Sequence, residues 1–192
     1  MNDQHWTSVW GNAVSVAENR PERYAKNITI RYGINMPFSG SAIRLTFDNY
    51  CGTEPITLTR TTVFYGGKFY PVYYSGQREM TIGAGETIVT DPLELEITEG
   101  EVLQVSFYLA DFTLMRSVVY TCGPLSEGVY ANGDATETVH LDRDTSRTTH
   151  LFYFLSNVAV LTDGKKRTIV CYGDSITAQD WPDYLSLRCF RE

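Results

Sequence analysis

Nowhere does the chain approach the ~18 consecutive apolar residues that a membrane-spanning helix needs. Its start, Met1-Asn-Asp-Gln-His-Trp6, lacks the basic opening and apolar core of a signal peptide. As written it is expected in the cytoplasm, away from membranes; a secreted protein whose signal peptide had been trimmed would present the same sequence. Basic residues are scarce: 16 Lys and Arg face 23 Asp and Glu, for a formal charge of −7. The largest basic cluster is Lys165-Lys-Arg167, so a phosphate-tracking surface, and with it nucleic acid as a partner, is excluded. The four cysteines, Cys51, Cys122, Cys171 and Cys189, are scattered without a C-x-x-C pair. That spacing argues against a zinc site or a disulfide frame and for reduced, mostly buried thiols.

What the chain does have is material for a core. Of its 192 residues 43% are hydrophobic and 13% aromatic, enough for one domain or slightly more. Period-2 alternation recurs: Ile28, Ile30, Tyr32 and Ile34, then Ile43, Leu45 and Phe47, then Leu93, Leu95 and Ile97, then Leu103, Val105, Phe107 and Leu109. Strands with one apolar face belong to antiparallel sheets. Turn residues sit between the runs, at Ser39-Gly40, Cys51-Gly52, Gly66-Gly67, Ser75-Gly76, Gly83-Ala-Gly85 and Glu99-Gly100. With no long amphipathic helix among them, about eight to ten short strands over residues 5–162 predict an antiparallel, jelly-roll-like β-sandwich. Residues 122–150, rich in Gly, Asp and Thr, read as a long surface loop.

After Thr162-Asp-Gly164 the pattern changes. Ile169-Val-Cys-Tyr172 is apolar without alternation, as a strand covered on both faces requires, and such strands belong to parallel sheets flanked by helices. The stretch from Asp180 to Phe190 reads as the following helix, with Asp180 as cap, Pro182 in the first turn, and Trp181, Tyr184, Leu185 and Arg188 on one side. The expected organisation is a β-sandwich over 1–164 followed, over 165–192, by the first β-loop-α unit of an incomplete α/β domain.

Between strand and helix stands Gly173-Asp-Ser175, just past the carboxyl end of the strand, where open α/β sheets bind ligands. Alone, the tripeptide reads as a tight turn. In context, Ile169-Val-Cys-Tyr-Gly-Asp-Ser-Ile-Thr177 followed by Trp181-Pro-Asp-Tyr-Leu185 closely resembles the first sequence block of the SGNH (GDSL-type) hydrolases. Upstream, Trp6, Trp10-Gly11, the stretches 43–56 and 82–92, and Phe154-Leu-Ser-Asn-Val158 are similar to the N-terminal β-domain of one multidomain branch of that family. The resemblance implies that Ser175 is a nucleophile whose backbone N–H also serves the oxyanion, while Gly173 and Asp174 shape the loop. It implies ester hydrolysis without metal or cofactor, and an acylated small molecule or carbohydrate as substrate.

Seventeen residues follow Ser175, and the later family blocks, which supply further oxyanion donors and an Asp-x-x-His pair, are not among them. Removing the base from a serine triad costs about 10⁶-fold, so the isolated chain is expected to be nearly inert. His5, His140 and His150 match no motif that would replace the base, and Asp142-Arg-Asp144 reads as a solvated loop. Burial of Ile169, Val170 and Tyr172 would contribute about 1.5–3 kcal/mol each. Uncovered, the segment 168–192 is expected to be disordered, folded back on the β-domain, paired between chains, or completed by further hydrolase sequence or a second polypeptide.

Two further readings compete. In one, the chain is a non-catalytic glycan- or protein-binding module: Phe64-Tyr65, Phe69-Tyr70 and Tyr73-Tyr74 around Gly66-Gly67 would stack on sugars, or simply pack across strands. In the other, the β-domain frames the active site, with a loop such as 122–150 reaching over Ser175. Asn27-Ile-Thr29 is formally a glycosylation sequon inside an expected strand.

Overall fold

The computed structural model describes residues 4–16, 22–120, 128–141, 147–149, 151–164 and 166–173. Among them are seventeen strands and no helix. The first half of the chain supplies β1 (Gln4–Gly11), β2 (Tyr24–Ala25), β3 (Ile28–Asn35), β4 (Gly40–Asp48), β5 (Ile56–Leu58), β6 (Arg60–Tyr65), β7 (Lys68–Pro71), β8 (Met80–Ile82) and β9 (Thr87–Val89). Then come β10 (Leu93–Ile97), β11 (Val102–Leu109), β12 (Thr113–Leu114), β13 (Val118–Tyr120), β14 (Gly128–Asn132), β15 (Arg147–Thr149), β16 (Leu151–Tyr153) and β17 (Leu155–Asp163).

Two antiparallel sheets carry the fold. One runs β1-β17-β4-β10, with β9 pairing the far end of β4; the other runs β15-β14-β3-β11-β6-β7. Alternation decides which side chains meet between them. Ile43, Leu45 and Phe47 of β4 and Val158 and Val160 of β17 are buried on one side, opposite Ile30, Tyr32 and Ile34 of β3 and Leu103, Val105 and Phe107 of β11. Phe47 and Phe107 join the two sheets edge to face, with ring centroids 5.8 Å apart. The result is a β-sandwich-like, all-β fold in which each sheet buries one face against the other.

Three two-stranded ribbons, β2–β12, β5–β8 and β13–β16, complete the described structure. β16 is tied to the core by Tyr32, whose ring stacks on Phe152 at 3.9 Å. The Tyr32 hydroxyl donates to the Leu151 carbonyl and accepts from the Tyr153 N–H. Gly66 and Gly67, with φ of 55° and 77°, make the β6–β7 hairpin turn, where successive left-handed residues match the twist of the strands.

The expected strands at 28–34, 43–47, 93–97 and 103–109 lie within β3, β4, β10 and β11. Four expectations need correction. Residues 122–150 are not one loop: β14 and β15 fall inside that stretch and extend the six-stranded sheet. Gly128 of β14 replaces a side chain where the Tyr32 ring fills the space.

Second, Ile169-Val-Cys-Tyr172 forms no strand and is exposed, with Val170 84% accessible and Tyr172 fully so. The sandwich places no strand beside these residues, and apolar composition alone cannot hold a strand. Third, neither described thiol is buried: Cys51 is half-buried and Cys171 exposed, both unpaired. Fourth, Asn27 precedes β3 at φ 53° rather than lying in a strand, and its side-chain carbonyl accepts from the Tyr108 hydroxyl. The helix expected over 180–190, Asp174, Ser175, His150, Cys122 and Cys189 lie outside the described residues.

Candidate functional site

Of the residues proposed for chemistry, Gly173 is described and is exposed. The segment leading to it leaves the sandwich after β17 and touches it at two points. The Lys166 ammonium sits 5.7 Å over the Phe38 ring, and the Thr168 hydroxyl donates to the Ser8 carbonyl of edge strand β1 at 3.2 Å. A cleft of about 370 Å³ opens where this segment departs, lined by Gln4, Ser39, Glu96, Glu99 and Lys166 among others. Its walls are mixed, with Glu96, Glu99 and Asp163 the acidic residues among them and Ile97 and Leu161 apolar.

The two described histidines lie on different parts of the chain's fold. His5 lies on β1, whereas exposed His140 is in the segment after β14. Among the described residues no group of three or more His, Cys, Asp and Glu side chains is placed to hold a metal ion. Among the described residues no helix is long and apolar enough to cross a membrane.

The aromatic hairpin is mostly packing. Tyr65 is buried, and its hydroxyl accepts from the Thr98 N–H at 2.7 Å; Tyr70 and Tyr74 pack against the core. Phe64 and Phe69, opposite one another on β6 and β7, pack together on the other side with centroids 4.7 Å apart. Only Tyr73 is exposed among the six. The rings therefore divide between two faces, as strand alternation dictates, and make no single platform.

Residues 133–141 cover a buried arginine. Arg31, on the outer face of β3, is buried, and its guanidinium donates to Ser106 Oγ and to the backbone carbonyls of Ala135, Thr138 and Val139. Burial pulls that guanidinium below its ordinary pKa, but an arginine stays charged. Thr29 adds a pair of bonds, donating to the Gly133 carbonyl and accepting from the Ala135 N–H. Arg60 pairs with Asp134 at 2.8 Å and Arg78 with Glu137 at 3.2 Å. The loop is thus strapped across the six-stranded sheet.

A group that sequence reasoning missed lies at the end of the sandwich where β3 begins and β4 and β11 finish. Tyr24, Tyr50 and Phe112 are 51%, 69% and 71% exposed. The segments bearing them are knitted together: Arg116 donates to the Cys51 carbonyl at 2.9 Å and to Glu22 at 3.0 Å, and the Cys51 N–H donates to Ser117 Oγ. Partial desolvation, then the carboxylates of Glu54 and Glu22, raise the Tyr24 phenol above its ordinary pKa. Burial, then Asp48, raise the Cys51 thiol, with Arg116 opposing them. A thiol so shifted is a poor nucleophile at neutral pH. The one available sequence signal was that Tyr24, Tyr50 and Phe112 stand outside the alternating runs, where core packing does not account for an aromatic.

No protein-family model matches the sequence, and no curated protein matches it.

Proposed function

We propose that these residues are the N-terminal part of a serine ester hydrolase of the SGNH class: a jelly-roll-like β-domain followed by the opening unit of the hydrolase domain. The observation that carries this reading is the block from Ile169 to Thr177, with the Gly-Asp-Ser nucleophile signature placed directly after an apolar run. Supporting it, Ile169, Val170 and Tyr172 are exposed here, as an apolar strand is when the sheet that should cover it is not at hand. Their cover comes from further hydrolase sequence or from a second chain.

In this reading the Ser175 hydroxyl attacks an acyl carbonyl, its proton passes to a base supplied by that further sequence, and the leaving alkoxide departs protonated. Water then releases the acid and restores the serine. The backbone N–H of Ser175 helps to hold the oxyanion, in the loop shaped by Gly173 and Asp174. The acyl group is carried on a small molecule or a carbohydrate, with O-acetyl esters the first to test. The Thr168 hydroxyl, donating to the Ser8 carbonyl of β1, ties the start of this segment to the β-domain.

Hydrolysis of acetylated oligosaccharides by the native protein, beside its Ser175→Ala variant, tests the reading. Loss of turnover in the variant supports it, and equal turnover overturns it. Comparing the native enzyme with its hydrolase domain alone tests the framing role, which an unchanged rate and substrate range would remove. A second reading, that the β-domain is a binding module in its own right, gains from the exposed rings at the β3 end rather than from the hairpin at Gly66-Gly67.

A further inference from the structure

The ribbon of β2 and β12 pairs Leu114 with Tyr24 and Thr113 with Ala25. Directly opposite residues of such a pair point to one side, so Tyr24 and Leu114 share a side. Leu114 is buried, while Lys26, one residue past β2, holds its ammonium 4.7 Å from the ring centroid of Phe112, one residue before β12. Both rings stand in solvent, Tyr24 on the ribbon itself and Phe112 one residue before it.

Hydrogen-bonding groups rim these rings and are themselves held. Glu22 and Arg116 form an ion pair, and Arg116 is anchored on the Cys51 carbonyl. Tyr50 and Glu54 belong to a turn fixed by Asn49, which is fully buried and donates to the carbonyls of Glu54, Ile82 and Gly83. The Tyr50 N–H is taken by Asp48 at 2.7 Å. The patch is therefore built before anything binds, which spares a bound molecule the cost of ordering it.

Its chemistry selects an occupant. Lone exposed aromatics are ordinary, but three at one end with acceptors and donors between them are not. An apolar protein surface laid over the patch would strip water from Glu22, Glu54 and Arg116 and give nothing back. An anionic chain would meet Glu22, Glu54, Asp48 and Asp111 on a molecule already at −7. A sugar ring has an apolar face of C–H groups to lie on an aromatic ring, and a rim of neutral hydroxyls that both donate and accept. We propose that Tyr24 and Phe112, with Tyr50, Glu22, Glu54 and Arg116 at their margin, form a binding platform for a neutral oligosaccharide. This site lies on the sandwich alone and stands whether or not Ser175 is a nucleophile.

The test titrates the 192-residue chain with cellohexaose, xylohexaose and mannohexaose by calorimetry, with polygalacturonate as the anionic control. Binding of at least one neutral hexaose is expected, weakened at least tenfold by Phe112→Ala and by Tyr24→Ala, and unchanged by Tyr73→Ala, which removes an exposed ring elsewhere. Should Tyr24→Ala disturb the fold by circular dichroism, Phe112→Ala and Glu54→Gln carry the comparison. The proposal is overturned if none of the three hexaoses binds, if binding survives in Phe112→Ala at full strength, or if polygalacturonate binds more tightly than the neutral chains.

Discussion

Residues 102–109 and residues 169–172 are both rich in apolar side chains, and they end in opposite places. β11 pairs with β3 along its whole length and with β6 along most of it, so every second side chain is driven into the core: Leu103, Val105, Phe107 and Leu109 are fully buried. Among the described residues no strand pairs with Ile169 to Tyr172, and these four residues are exposed. β-propensity is a fit to neighbours rather than a property of the segment. The contrast separates strands that are paired and covered from an apolar segment that the sandwich leaves exposed.

The largest effect that should break this contrast is at the centre of the sandwich. Phe107 contacts the rings of Tyr32, Phe47 and Phe154, so Phe107→Ala should cost about 3–5 kcal/mol, read as a lowered urea midpoint. Next, Arg31→Met leaves the carbonyls of Ala135, Thr138 and Val139 without their donor. A loss of about 1–3 kcal/mol is expected, and hydrogen exchange should show it as faster exchange over 133–141 while β11 amides stay protected.

Tyr32 gives a pH test of the same core. Burial, offset by its hydrogen bond from Tyr153, drives this phenol well above the ordinary tyrosine value of 10.0. Once the pH passes the value of the unfolded chain, the unfolded state sheds the proton that the native state retains, so stability falls as pH rises beyond that point. Below it the contribution is intact. Thermal unfolding from pH 8 to 11 should show this slope, and Tyr32→Phe should flatten it. The smallest effect belongs to the exposed segment: Val170→Asp in the 192-residue chain should change stability by no more than about 0.5 kcal/mol. A large loss there would mean that the segment packs on the sandwich after all.

Much of the sandwich was legible because its strands obey one rule. In β3, β4, β10 and β11 the apolar residues alternate, and glycines mark several of the turns. β14 escaped the same reading because Gly128, Tyr130 and Asn132 offer no apolar series, and its place was set by pairing with β3. The strap over the outer face was equally hidden, since Arg31 looks like any solvent-facing residue of an alternating strand until residues 133–141 lie upon it. The segment at 169–172 misled in the other direction: a run without alternation describes a strand in a covered sheet, and here the cover is not in the sandwich. Ser175 rested on motif resemblance. The patch at Tyr24 and Tyr50 needed three segments distant in sequence to be brought to one end.

The central claim is that Ser175 is the nucleophile of an esterase whose sheet begins at Ile169. Acetyl-ester hydrolysis by the protein at its natural length, set beside its Ser175→Ala variant, tests it most directly. The account predicts steady acetate release that the substitution lowers by about 10⁶-fold; equal rates from the two proteins would contradict it.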